Sequence, residues 1–195
     1  MLPQYIVYIS IITSCFAGYF YIRDTLLGKT KPNLASWSIW FVAPVVAAII
    51  QFEKGAGVSA LPVFMAGIIP FFVIISSFRN KNAYWKLKAL DYICLILSLG
   101  ALVSFFVFQT GVFATICAIL ADGIAFIPTY VKSWHAPDTE TLSSYYSGSF
   151  NSLLSLLTLT TFSFVTMGFA TYLFLGNLSE ICLVKFRQHA VARKS

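Results

Sequence analysis

Of the chain's 195 residues, 58% are hydrophobic and only 10% are charged, whereas a soluble domain carries roughly 25% charged residues. Mean hydropathy is +0.82. These values exclude a soluble globular enzyme, a disordered tail and a secreted disulfide module, and they point to an all-α integral membrane protein. The net charge is +6, from 13 Lys and Arg against 7 Asp and Glu. In a membrane protein the placement of these charges matters more than their sum, so they do not argue for nucleic acid.

Met1 to Ser14 lacks the basic n-region of a signal peptide and is expected to open a retained first helix. Apolar windows then predict seven transmembrane helices, at 4–22, 34–51, 58–78, 89–109, 112–131, 142–160 and 163–183. The stretch from Leu153 to Leu175 is uncharged. The break between helices six and seven is set at Thr160–Phe162, because one helix from Leu142 to Leu183 would far exceed the bilayer. The four cysteines (Cys15, Cys94, Cys117, Cys182) lie far apart in apolar stretches and read as buried hydrophobes.

Twelve basic residues fall on one side of this arrangement. They are Arg23, Lys29, Lys31, Arg79, Lys81, Lys86, Lys88, Lys132, Lys185, Arg187, Arg193 and Lys194; only Lys54 falls on the other. The positive-inside rule puts the N-terminus outside and the C-terminus in the cytoplasm. The expected setting is the cell membrane. The basic tail, 184–195, reads as a topology signal, with a lipid-binding patch as the alternative.

Two segments resemble each other. Residues 31–40 read KPNLASWSIW and residues 136–145 read APDTETLSSY. Pro32 pairs with Pro137, Asn33 with Asp138, Ser36 with Thr141, Ser38 with Ser143 and Trp40 with Tyr145. In each, Pro blocks helix continuation, Asn or Asp caps the next helix and the aromatic anchors at the interface. Each segment opens the second helix of a three-helix group. A single membrane domain, 1–195, then divides into a three-helix repeat (1–78), a linker helix (89–109) and a second repeat (112–183). Because the linker crosses once, the repeats are parallel, a recurring plan of secondary transporters.

This 3-1-3 layout resembles the SWEET and PQ-loop transporter superfamily. The motif-level likeness lies in Pro128-Thr129, Lys132 and 139–143 (TETLS), with Thr129 in place of the family's Gln and Thr141 in place of its Gly. The resemblance implies alternating access around a cavity between the triplets. It implies hinge or gate roles for Pro44 and Pro128, and substrate contact by Asn177 in helix seven.

Asp122, read as the only acidic residue well inside a predicted span, stands about ten residues from each end of helix five, facing Ala118, Ala125 and Thr129. A carboxylate at the bilayer centre costs about 2.5–3.5 kcal/mol on insertion scales, so it should face a cavity or a partner. A carboxyl that exchanges a proton there makes proton coupling possible; a structural Asp is the alternative. Helix six carries a stripe of Ser144, Ser147, Asn151, Ser155 and Thr158, read either as interhelical glue or as a solute path, with Asn151 as ligand candidate. Trp37 and Trp40 share a face with Pro44. They read as an interfacial belt or as a platform for a ring-shaped solute. Trp85 and Trp134 read as belt anchors, and Glu140, beside Asp138 and Lys132, as part of a helix-start charge pair, with gate contact as the alternative.

His135 and His189 fall outside the spans, and no metal-ligand or hydrolase motif is present, so neither metal nor cofactor is expected. The sequence therefore predicts a non-enzymatic carrier, a uniporter or proton-coupled, for a small polar solute. Substrate residues would be Asp122, Asn151, Trp37, Trp40 and Asn177. Protons, the lipid bilayer and a second copy of the chain are possible partners; nucleic acid is not. The alternatives are a non-transporting receptor of the same fold and a membrane-embedded lipid enzyme, for which Asp91 is the acid considered as a partner for Asp122.

Overall fold

A computed structural model describes residues 2–80, 85–108 and 111–193. Lys81, Lys194 and Gln109, the expected end of the fourth helix, lie outside these. The described residues are helical, with no strand. The α-helices are α1 (Ile9–Leu26), α2 (Leu34–Gln51), α3 (Leu61–Arg79), α4 (Ala89–Phe108), α5 (Gly111–His135), α6 (Ser143–Thr158) and α7 (Phe164–Ala192). A 3₁₀ turn over Gln4–Tyr8 leads into α1.

Among the described residues, four stretches are long and apolar enough to cross a membrane. They are Gln4–Leu26, Leu34–Arg79, Gly111–His135 and Phe164–Ala192, the second containing both α2 and α3. Within α4, which has 20 residues, Ala89–Ser104 is an apolar stretch. The seven expected spans are thus not equal. α6 has only 16 residues, about 24 Å at 1.5 Å per residue, and its polar stripe lowers its hydropathy.

Local chemistry explains most boundaries. Asn33 caps α2, its Oδ1 accepting from the N–H groups of Ala35 (3.1 Å) and Ser36 (3.4 Å). The α2–α3 connection turns at Gly55 and Gly57, whose φ values of +90° and +56° suit glycine. Between α6 and α7 the backbone is non-helical over 159–163. Ser163 and Thr166 then form a reciprocal capping box at the start of α7. That break encloses the expected one. α7, in contrast, runs nine residues past its expected end at 183, so most of the basic tail is helix. α5 also extends further than expected, to His135.

The parallel between the two similar segments is partial. Asp138 lies in a 3₁₀ turn over Pro137–Thr139, and α6 starts at Ser143 with no side-chain cap. Glu140 is extended there, at φ −119° and ψ 133°, which carries it to Lys132 instead of into the helix. Trp40 and Tyr145 are buried and meet edge to face, with centroids 6.2 Å apart. They are packed inside the bundle, not at its surface.

α3 packs against both α1 and α2, and α7 packs against both α5 and α6. α1 meets α6 and α2 meets α5, while α4 lies on α5 and α2. The main core cluster forms along these contacts, around Tyr21, Trp37, Trp40, Ala121, Phe126 and Tyr145.

Candidate functional site

A cavity of about 610 Å³, its mouth included, opens where α1, α2, α3, α5, α6 and α7 converge. Asp122, Asn151, Trp37, Trp40, Asn177 and Pro44 all line it. Pro128 does not. It faces a separate groove with Trp85, Asp91 and His135. Pro70, inside α3, lines the cavity beside Pro44, so α2 and α3 are the two helices interrupted by proline there.

The polar groups of the cavity are engaged to different degrees. Asp122 is fully buried; its Oδ2 accepts from the hydroxyl of Tyr172 at 2.8 Å, while Oδ1 has no partner. Ala118, Ala125 and Thr129 on the same helix face are buried. Asn151 is heavily engaged: its Nδ2 donates to Ser14 Oγ (2.7 Å) and Ser147 Oγ (3.1 Å), and its Oδ1 accepts from Thr13 at 2.6 Å. That bonding ties α6 to α1 and leaves the amide little for a ligand. Ser144 Oγ is buried without a partner. Asn177 donates to the Leu173 carbonyl at 2.7 Å and lies against Gly148, where a Cβ would come within 2.7 Å of its Oδ1. Trp37 and Trp40 are 3% and 7% exposed. They form an aromatic wall with Phe126 and Tyr145, the Trp40–Phe126 centroids being 4.5 Å apart. Burial replaces the interfacial belt with a cavity wall.

Below the cavity, at the end of the bundle that carries the basic loops, lies a second buried cluster. Lys132 and Glu140 form an ion pair whose side chains are fully buried. Lys132 Nζ also donates to the Lys31 carbonyl at 2.8 Å. Glu140 Oε1 accepts from the hydroxyls of Tyr21 (2.6 Å) and Tyr145 (3.0 Å). The Lys31 N–H donates to the Thr139 carbonyl at 3.0 Å, and the Thr30 and Thr141 hydroxyls hydrogen-bond to each other. This latch joins the α1–α2 loop to the α5–α6 loop. Glu180 is buried nearby on α7, one oxygen accepting from Ser133 and the other unpartnered.

Two expectations change here. Lys132 is not a solvated topology charge, because Glu140 and the Lys31 and Thr139 carbonyls take it into the interior. Asp122 is not the lone acid inside a span: Glu180 falls within the expected seventh helix and is 0% exposed. Its position in an apolar window was the signal for it. Tyr172, which holds Asp122 from another helix, left none. Asp91 accepts from Asn33 Nδ2 at 2.6 Å and from the Lys88 N–H, and it does not line the cavity. Among the described residues no group of three His, Cys, Asp or Glu side chains is placed to hold a metal. Trp134 is exposed, with Arg187 4.4 Å over its ring.

Comparison with protein-family models, with known proteins and with solved structures finds no match to the chain.

Proposed function

We propose that the chain is a membrane transporter, a uniporter or proton-coupled, that moves a small polar solute by alternating access. Two parallel triplets, α1–α3 and α5–α7, would rock about the central cavity, with α4 as linker. The N-terminus would lie outside and the C-terminus in the cytoplasm, as the resemblance to the SWEET and PQ-loop superfamily implies. The observation that carries this reading is the cavity itself. It is lined by three helices from each triplet, it holds a buried carboxylate, and it ends at a latch made of one loop from each triplet. The helix contacts agree with it, since α3 and α7 each pack mainly within their own triplet while α1–α6 and α2–α5 make the main contacts across the seam. A carrier needs such a seam, because rigid groups must separate at one end while staying joined at the other.

The test is uptake into proteoliposomes of a pooled panel of sugars, amino acids and vitamins, with and without an imposed pH gradient. Wild type is compared with Asp122→Asn. Saturable uptake is expected, and gradient stimulation that the variant loses identifies Asp122 as the coupling residue. No flux of any solute, in protein shown to be folded and inserted, overturns the transport reading in favour of a binding protein.

A further inference from the structure

Resting on the transport reading, we infer that the cavity takes a planar aromatic solute that presents a nitrogen donor or positive charge to Asp122. Three observations select this chemistry. The first is sign: among the described residues the lining contains one acid and no Lys, Arg or His. A phosphate, sulfonate or carboxylate would enter with no countercharge and opposite a carboxyl group, so anionic solutes are disfavoured. The second is unmet hydrogen bonding. Asp122 Oδ1 and Ser144 Oγ are buried, unpartnered and part of the lining. A buried acceptor without a donor is costly, and a ligand N–H is what satisfies it. Tyr172 holds the other oxygen at 2.8 Å, which fixes the carboxyl plane and leaves Oδ1 available.

The third observation is the wall. Trp37, Trp40, Phe126 and Tyr145 line one cavity and pack on one another with centroids 4.5–6.2 Å apart. Aromatic faces carry negative quadrupole density, so they attract cations and stack on flat rings. A sugar would find aromatic stacking but less amide hydrogen bonding, because Asn151 is already bound to Thr13, Ser14 and Ser147 and Asn177 Nδ2 donates to the Leu173 carbonyl. One acid, two orphan polar atoms and an aromatic face make a site for a flat, nitrogen-bearing ring.

The experiment uses the full chain in detergent and reads tryptophan fluorescence. The probes are benzamidine, which is aromatic with an amidinium, acetamidine, which is an amidinium without a ring, benzoate, an aromatic anion, and glucose. The expected result is saturable binding of benzamidine, with acetamidine, benzoate and glucose each about tenfold weaker or worse. Asp122→Asn, checked for folding by gel filtration, should weaken benzamidine by about tenfold or more. The order of the four probes on the wild type stands by itself if that variant does not fold. Equal or tighter binding of benzoate or glucose overturns the inference. So does absence of binding by all four. Benzamidine binding that Asp122→Asn leaves unchanged overturns the role of the carboxylate. Benzamidine binding with no flux in liposomes upholds the site chemistry while overturning transport, so the two readings fail separately.

Discussion

Replacing Glu140 with glutamine should destabilise the protein far more than replacing both members of its ion pair. Glutamine keeps an oxygen able to accept from Tyr21 and Tyr145, at 2.6 and 3.0 Å in the parent, but removes the charge and replaces the oxygen that faces Lys132 with an NH2 that cannot accept from it. Lys132 then stays buried, with the Lys31 carbonyl at 2.8 Å and the Thr139 carbonyl at 3.4 Å but no counter-ion. Breaking a buried pair from one side costs about 3–5 kcal/mol, because an uncompensated charge is left inside. Lys132→Met should cost about the same, since it strands the Glu140 carboxylate. The double variant Lys132→Met, Glu140→Gln removes both charges, and replacing a whole buried pair by apolar groups is often close to neutral. The coupling energy of the cycle should therefore be large and favourable, about 3 kcal/mol or more. The assay is reversible unfolding by SDS titration in mixed micelles on the four proteins. A Glu140→Gln loss below about 1 kcal/mol, or a double variant as unstable as the two singles summed, would refute the reasoning.

Four further variants probe close packing and capping. Gly67→Ala should cost about 1–3 kcal/mol in the same titration, because its Cβ would stand 2.6 Å from Val45 Cγ2 and 2.8 Å from the Phe41 carbonyl oxygen, backbone that cannot move aside. Gly100→Ala, which meets nothing within 4 Å, should be neutral or stabilising by up to about 1 kcal/mol, and equal losses at both sites would defeat the packing argument. Asn33→Ala should cost about 2–4 kcal/mol, the lost cap plus an orphaned Asp91 oxygen. Asn33→Asp should be no better, since it keeps the cap oxygen but sets two carboxyl groups together; full stability in that variant would contradict the Asn33–Asp91 assignment.

Helix positions were legible in the sequence because hydropathy windows report how much of a segment avoids water. The break near Thr160 could be set by bilayer length alone, and a capping box at Ser163 fixes it. The same windows overlooked the extension of α7, since its charged last turns are helical without being apolar. Candidate site residues were legible as individual oddities: an acid in a span, an amide in a stripe, two tryptophans on a face. Six of them line one cavity. Their bonding was not legible, because periodicity identifies the face of a helix and not the helix opposite. Tyr172 and Asp122 are 50 residues apart, and Thr13 and Asn151 are 138 apart. Lys132 shows the limit most plainly. Its pairing with Glu140, eight residues on, was legible, but the irregular loop that buries the pair and takes Lys132 out of the solvated charges was not.

The triplets are joined at the two ends of the bundle by different chemistry. At the end away from the basic loops, the Ser59 hydroxyl donates to the Thr158 carbonyl at 2.9 Å and Ser155 donates to the Ser59 carbonyl at 2.6 Å. Those are neutral hydrogen bonds, worth about 0.6 kcal/mol each between membrane helices. At the basic end the junction contains a buried ion pair and two tyrosines, and pulling it apart exposes charges that must be rehydrated. On the transport reading, the neutral junction yields first and opening the ionic junction is the step that solute binding has to drive. A ligand can drive it only through contacts that differ between the two states. Tyr145 is the residue able to carry that difference, because it lines the cavity with its ring and bonds Glu140 with its hydroxyl. A solute stacked on the aromatic wall thus touches the latch through one side chain. The Glu140→Gln variant, read in the uptake assay, should accordingly change transport while leaving benzamidine binding at Asp122 intact, and a loss of both in folded protein would mean that latch and cavity are one structural unit.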